Sequence, residues 1–145
     1  KLENIMLKEP LANNKSAEPI LIDFGVAAQI KQARGTGGTL ITMAPEYLRR
    51  IRGETPPELD LDLTKLDIYS LGVVVYRLWT GRYPLDGITE KTITAAILND
   101  VPLPPSEINS HLPKIADELM SSWLAKNPDS RPNINDIITV LNKIV

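Results

Sequence analysis

The sequence predicts a mainly α domain with one small β-hairpin near its N-terminus, and three observations carry that expectation. Four stretches from Leu66 onwards have helical length and patterning. Two short apolar runs before Asp23 are joined by a polar, proline-flanked loop. Aromatic residues make up only 5% of a chain that is 43% hydrophobic, so packing falls to Leu, Ile, Val and Ala, the residues of helix-on-helix contacts. At 145 residues one hydrophobic core is affordable, and a single unit over 1–145 is expected.

Taken in order, Ile5-Met6-Leu7 and Ile20-Leu21-Ile22 read as the strands of a hairpin whose long loop runs from Lys8 to Pro19. Val26 to Met43 gathers Gly35, Gly37, Gly38 and several threonines without periodicity, the pattern of a mobile loop. Arg52 to Thr64 carries Pro56-Pro57 and four acidic residues, and reads as a solvated connection, with a docking surface as the alternative. Leu66 to Trp79 is apolar on every side, which requires burial if it is a helix. Its β-branched run Val73 to Val75 also suits a strand, but the length and Gly81 as a stop favour helix. Thr89 to Leu98, Pro113 to Leu124 and Asn133 to Ile144 follow as amphipathic helices, the first two separated by the proline-rich Val101 to Pro105. Pro113 fits a first helical turn, where its missing N–H costs little.

A net charge of −2 and a pI near 5.4 argue against a broad footprint for nucleic acid or anionic membrane, leaving Arg49, Arg50 and Arg52 as a local basic cluster. Without cysteine and with one histidine, the chain has neither a thiolate site nor a histidine-based one. No apolar run approaches the roughly 18 residues of a membrane span, and Lys1-Leu2-Glu3-Asn4 is no signal peptide. The expectation is a soluble chain in a reducing compartment, cytoplasmic or nuclear, whose start at Lys1 is a cut. His111 reads as a surface residue, Trp79 and Trp123 as packing anchors.

Asp23-Phe24-Gly25 follows the second apolar run, and by itself an Asp before Gly is often turn chemistry. Asn4 stands nineteen positions earlier, and the hairpin folds the two oxygen-bearing side chains towards one another. A hard divalent ion such as Mg²⁺ takes oxygen ligands of this kind, completed by phosphate and water.

Five elements in order, Lys1-x-x-Asn4, Asp23-Phe24-Gly25, Gly38-Thr39 with Ala44-Pro45-Glu46, Asp67-x-x-Ser70-x-Gly72 and Asn127-Pro128-x-x-Arg131-Pro132, resemble the eukaryotic-type serine/threonine protein kinases. The resemblance covers the whole chain and implies the helical C-terminal lobe of that α+β two-lobe fold, with the hairpin at the cleft edge. It implies that Asn4 and Asp23 hold magnesium against the phosphates of ATP, that Lys1 neutralises the transferring phosphoryl group and that Thr39 steadies this lysine. Both Lys1 and Thr39 point to serine or threonine acceptors rather than tyrosine. Met6 would lie beneath the adenine ring, and Glu3 resembles an acidic residue favouring basic substrates, although Arg77 stands where basophilic relatives often carry a second glutamate. In the Asp23-Phe24-Gly25 element the resemblance implies that Asp23 faces the metal while Phe24 packs into a hydrophobic stack that reports the active state, a place compatible with an ordinary core aromatic; Gly25 is structural. Thr36 is the implied phosphosite, Glu46 and Arg131 pair across the lobe, and Asp67 accepts backbone N–H groups of the catalytic loop.

Leu40-Ile41-Thr42-Met43 departs from the family's proline and aromatic pattern at the peptide-binding wall. These residues include no glycine-rich phosphate loop, no strand lysine and no catalytic aspartate. The implied partners are ATP, a protein substrate and an N-terminal lobe in the parent chain, and the polypeptide alone is expected to be inactive. Two rivals stand beside this reading: a pseudokinase serving as a scaffold, and an unrelated helical interaction domain.

Overall fold

The computed structural model describes residues 1–8, 18–22, 40–56 and 58–144. A 3₁₀ turn, Leu2–Asn4, leads into β1 (Ile5–Leu7) and β2 (Pro19–Leu21); the helices are α1 (Pro45–Ile51), α2 (Leu63–Thr80), α3 (Glu90–Asn99), α4 (Pro105–Ile108), α5 (Ile115–Trp123) and α6 (Ile134–Ile144), with a second 3₁₀ turn, Pro128–Ser130, before α6. The expected class, mainly α with a small hairpin, is the one observed.

β1 and β2 pair antiparallel, Ile5 opposite Leu21, Met6 opposite Ile20 and Leu7 opposite Pro19. Flanking bonds extend the ladder at both ends, from Lys8 N–H to the Glu18 carbonyl at 2.9 Å and from Ile22 N–H to the Asn4 carbonyl at 2.8 Å. Met6, Leu7, Ile20 and Leu21 are all substantially exposed, so neither face of the hairpin is fully covered by the described residues.

α2 is the central helix. Asp62 caps its start, accepting from Thr64 N–H at 2.9 Å, which begins the helix three residues before the expected Leu66. Gly81 ends it at φ 73°, a conformation that favours glycine, with its N–H on the Arg77 carbonyl. Ile68, Tyr69, Val73, Val74 and Tyr76 are buried, and the valine run is helical. Burial all round does not hold: Leu78 is 64% exposed, because the packing partners of α2 leave that part of its surface uncovered.

α5 places Ala116, Leu119, Met120 and Trp123 on one buried stripe, the i, i+3, i+4, i+7 spacing of an amphipathic helix. It packs against α2 and α4, and α1 packs against α3. Thr89 and Thr92 form a reciprocal capping box at the start of α3. Asn133 and Asp136 exchange equivalent bonds at the start of α6. Trp123 is buried, Trp79 is half-buried in contact with the core, and His111 is exposed.

Three further expectations are corrected. Pro113, expected in a first helical turn, lies ahead of α5, whose N-cap is Lys114. Leu40, Thr42 and Met43, at the end of the supposed mobile loop, are buried, because they pack into the core immediately before α1. The proline-rich connection ends in α4, a single helical turn with Pro105 in its first positions. The remainder of the supposed loop, 26–39, lies outside the described residues.

Gly72 lies in close contact with the end of α5 and the residue after it: a Cβ there would stand 3.0 Å from Leu124 Cδ2 and 3.1 Å from Trp123 Cβ. Gly72→Ala is expected to destabilise, since overpacking costs about 1–3 kcal/mol against about 1 kcal/mol gained in helix propensity. Urea denaturation checks it, and a variant markedly more stable than the parent would refute the close-packing account.

Lys126, just after α5, donates from Nζ to the Ile97 carbonyl at 2.6 Å. Burial pulls its ammonium down to about 8, against an ordinary 10.5, with Asp100 opposing the shift and Arg49 and Arg131 adding to it. Below pH 8 both folded and unfolded states carry the charge and folding bears the full cost of desolvating it. As pH rises from 8 towards 10.5 the folded state binds fewer protons than the unfolded one, so this group's contribution rises. Tyr47, Tyr69 and Tyr76 are pushed above 10.0 by burial and act oppositely from there upward. Stability contributed by Lys126 is therefore expected to increase between pH 8 and pH 10, and the increment should vanish in Lys126→Met. Denaturant titrations of both proteins across that window check it.

Candidate functional site

The hairpin end of the chain assembles the first part of the site. The 3₁₀ turn is closed by Asn4 N–H on the Lys1 carbonyl at 3.0 Å, and the Asn4 carbonyl in turn receives Ile22 N–H. Asn4 is thus fastened by its backbone to the residue preceding Asp23. Its side chain is half-buried, and an amide oxygen is the kind of ligand that a hard cation takes. Lys1 and Glu3 are exposed, as is Met6, whose neighbour across the ladder is Ile20.

No cluster of three or more acidic, histidine or cysteine residues that could hold a metal occurs among the described residues. The donor available here is Asn4. Asp23, Phe24, Gly25, Thr36 and Thr39 lie outside the described residues.

The second part is an ion pair deep in the helical body. Arg131 donates from Nη1 to Glu46 Oε1 at 2.6 Å and from Nη2 to Glu46 Oε2 at 2.8 Å, the two-pronged contact that a planar guanidinium makes with a carboxylate. The Arg131 side chain is 0% exposed and that of Glu46 12%, so water hardly reaches the contact. Nε donates to the Ala125 carbonyl at 2.9 Å and Nη1 also to the Lys65 carbonyl at 2.8 Å. The guanidinium lies over the Tyr69 ring, 5.0 Å from its centroid. Burial pushes the Tyr69 hydroxyl well above its ordinary value, with Arg131 opposing the rise and Glu46 reinforcing it. The pairing that the resemblance implies is present in the structure.

Several contributors to this centre carry no signal of their own in the sequence. Lys65 supplies its carbonyl to Arg131, while its ammonium donates to the carbonyls of Arg131 and Pro132. Tyr69 supplies the ring and Ala125 a carbonyl. Spacing from a recognised residue was the available clue, since Lys65 precedes Asp67 by two positions and Tyr69 follows it by two. The Asp67 motif also acquires physical content. Ser70 Oγ donates to the Thr42 carbonyl at 2.8 Å, tying α2 to the segment before Ala44-Pro45-Glu46, and Gly72 admits α5. Asp67 itself is exposed near the start of α2. Arg77 stacks over the Tyr83 ring at 4.1 Å, which accounts for its place on α2 by packing.

A helical body centred on α2, a small hairpin and a buried glutamate–arginine clasp are consistent with what comparison with known proteins finds. Residues 1–140 match the family model described as "Protein kinase domain", and the chain belongs to that family. It is 32% identical over 124 residues to "Serine/threonine/tyrosine-protein kinase HT1" of Arabidopsis thaliana, covering 83% of this chain and 29% of that protein. It is 30% identical over 141 residues to "Sperm motility kinase 3A" of Mus musculus, covering 95% and 24%. With "Serine/threonine-protein kinase PksC" of Streptomyces coelicolor it shares 38% identity over 65 residues, covering 45% and 12%. The chain spans less than a third of the length of each of these relatives. Among the described residues no helix is long and apolar enough to cross a membrane.

Removing one member of a buried ion pair strands the other charge, at about 3–5 kcal/mol. Arg131→Ala is expected to lose that much stability, and Glu46→Gln a large part of it. Equilibrium unfolding in urea checks both, and losses within about 0.5 kcal/mol, as at ordinary surface sites, would remove the clasp from its place at the centre of the fold.

Proposed function

We propose that this chain is the C-terminal lobe of an enzyme that transfers the γ-phosphoryl of ATP to a serine or threonine hydroxyl of a protein substrate. The observation that carries the reading is the backbone tie between Asn4 and Ile22, which fastens one expected magnesium donor beside the residue leading to the other. Membership of the protein kinase family supplies the reaction class.

In this reading Asn4 and Asp23 hold magnesium through hard oxygen atoms. Bound there, the ion would neutralise phosphate charge during transfer. Lys1, exposed at the start of the turn, brings a cation towards the phosphoryl oxygens, and Thr39 orients that lysine. Met6 presents its thioether to the adenine ring, and Glu3 offers a carboxylate to a basic residue of the substrate. Asp67 accepts backbone N–H groups of the catalytic loop. Positioning and charge neutralisation are the whole of this contribution; the acceptor for the hydroxyl proton and the cover over the phosphates belong to an N-terminal part of the parent protein. Lys1 and Thr39 support serine/threonine specificity; the name of the PksC relative agrees with that choice, and that of the HT1 relative adds tyrosine. A phosphate on Thr36 would order the surrounding segment by pairing with arginine, Arg34 among them.

Transfer to a mixed peptide library from Mg-ATP is the test. The parent kinase should phosphorylate it, Asn4→Ala and Asp23→Ala should each lose activity by at least about 100-fold, the smaller end of what removing a transition-state charge contact costs, and the 145-residue chain alone should be silent. A folded parent that transfers nothing would assign the chain to a scaffold instead. Robust transfer by the chain alone would overturn the need for a second lobe.

A further inference from the structure

Apart from the hairpin and the clasp, the helical body contains a cavity of about 380 Å³ between the Val101–Pro105 segment and α5. That volume falls within the range of small-molecule sites. Val101, Leu103, Met120 and Leu124 give it mainly apolar walls, and its ionisable lining residues are Lys126 and Asp117. The Tyr76 hydroxyl holds one wall in place by donating to the Leu103 carbonyl at 2.9 Å.

The two ionisable residues are not equivalent. Asp117 is already served: it accepts from Ser106 N–H at 2.8 Å, from Ser106 Oγ at 2.7 Å and from Lys114 Nζ at 3.4 Å. These bonds, the Ser106 backbone contact foremost, hold its carboxyl below the usual range, so it remains an anion with its own partners. Lys126 is half-buried and donates one hydrogen bond, to the Ile97 carbonyl near the end of α3. An ammonium has three donors, and no carboxylate of the described residues lies within 4.0 Å of this one. Asp100 acts on it only from farther away, and Arg49 and Arg131 add positive potential. An apolar groove, open to solvent beside Val101 and Leu103, with a cation at its wall that no carboxylate of the described residues pairs, suits an anion carried on apolar substance.

We propose that this cavity binds a small apolar monocarboxylate, its hydrocarbon portion against Leu103, Met120 and Leu124 and its carboxylate on the Lys126 ammonium. A carboxylate restores the charge partner that the surroundings withhold, and the hydrocarbon covers wall surface that water wets poorly. The helix-capping bond to Ile97 leaves two donors for it. This site does not depend on the phosphoryl-transfer reading, since none of its residues belongs to that machinery.

Decanoate is the probe, with decanol as its uncharged counterpart, titrated at neutral pH into the full chain by calorimetry and by NMR of the Leu, Val and Met methyl groups. Decanoate should bind at least about tenfold more tightly than decanol, the worth of one charge-assisted hydrogen bond. The shifts should centre on Val101, Leu103 and Met120. Lys126→Met should abolish the preference for the acid, while Lys126→Arg should retain it. Equal binding of decanoate and decanol, shifts centred elsewhere, or an unchanged preference in a folded Lys126→Met protein would each overturn the proposal. The first comparison uses the unsubstituted chain and holds even if a variant folds poorly.

Discussion

A guanidinium removed from water has to be surrounded by acceptors, and Arg131 imposes that demand on most of the helical body. Glu46 reaches it from α1 across 85 positions of sequence, Lys65 and Tyr69 from α2, and Ala125 from the segment just after α5. Four of its hydrogen bonds are thereby fixed at once, and each fixes the position of the element that supplies the acceptor. Replacing such a pair with apolar side chains is often neutral or stabilising. What the structure shows here is geometric: the pair joins α1, α2 and the turn before α6 at one point.

The close approach at Gly72 acts in the same direction. With no side chain at that position, α5 lies against α2 near enough for Leu124 and Trp123 to fill the space, and the segment just after α5 then delivers the Ala125 carbonyl to Arg131. The Ser70 bond to Thr42 brings in the segment ahead of α1, which carries Glu46. A chain of local contacts along α2 therefore converges on the same buried charge.

The hairpin obeys a different constraint. Its backbone is satisfied by its own ladder and by the Asn4–Ile22 bond, while its apolar side chains stay largely exposed. Backbone hydrogen bonding sets where Asn4 stands, and side-chain burial contributes little. Such an element keeps its backbone donors in place and presents an apolar surface.

Helix patterning and the Gly81 stop were legible in the sequence because they arise from short-range chemistry: Gly81 acts on backbone within a few residues, and the stripe from Ala116 to Trp123 follows helical spacing. The Asp62 cap, equally local, reads in the sequence as part of the connection before α2. The Glu46–Arg131 pair was legible only through resemblance to a family, since nothing local connects the two residues. Leu40 and Met43 read as loop because burial at the end of an aperiodic segment leaves no periodic trace. The uncovered Leu78, the enclosure of Lys126 and the cavity beside it were decided by tertiary structure alone. Whether a side chain loses its water depends on which distant elements arrive beside it, and that sum over neighbours is not written in any one stretch of chain.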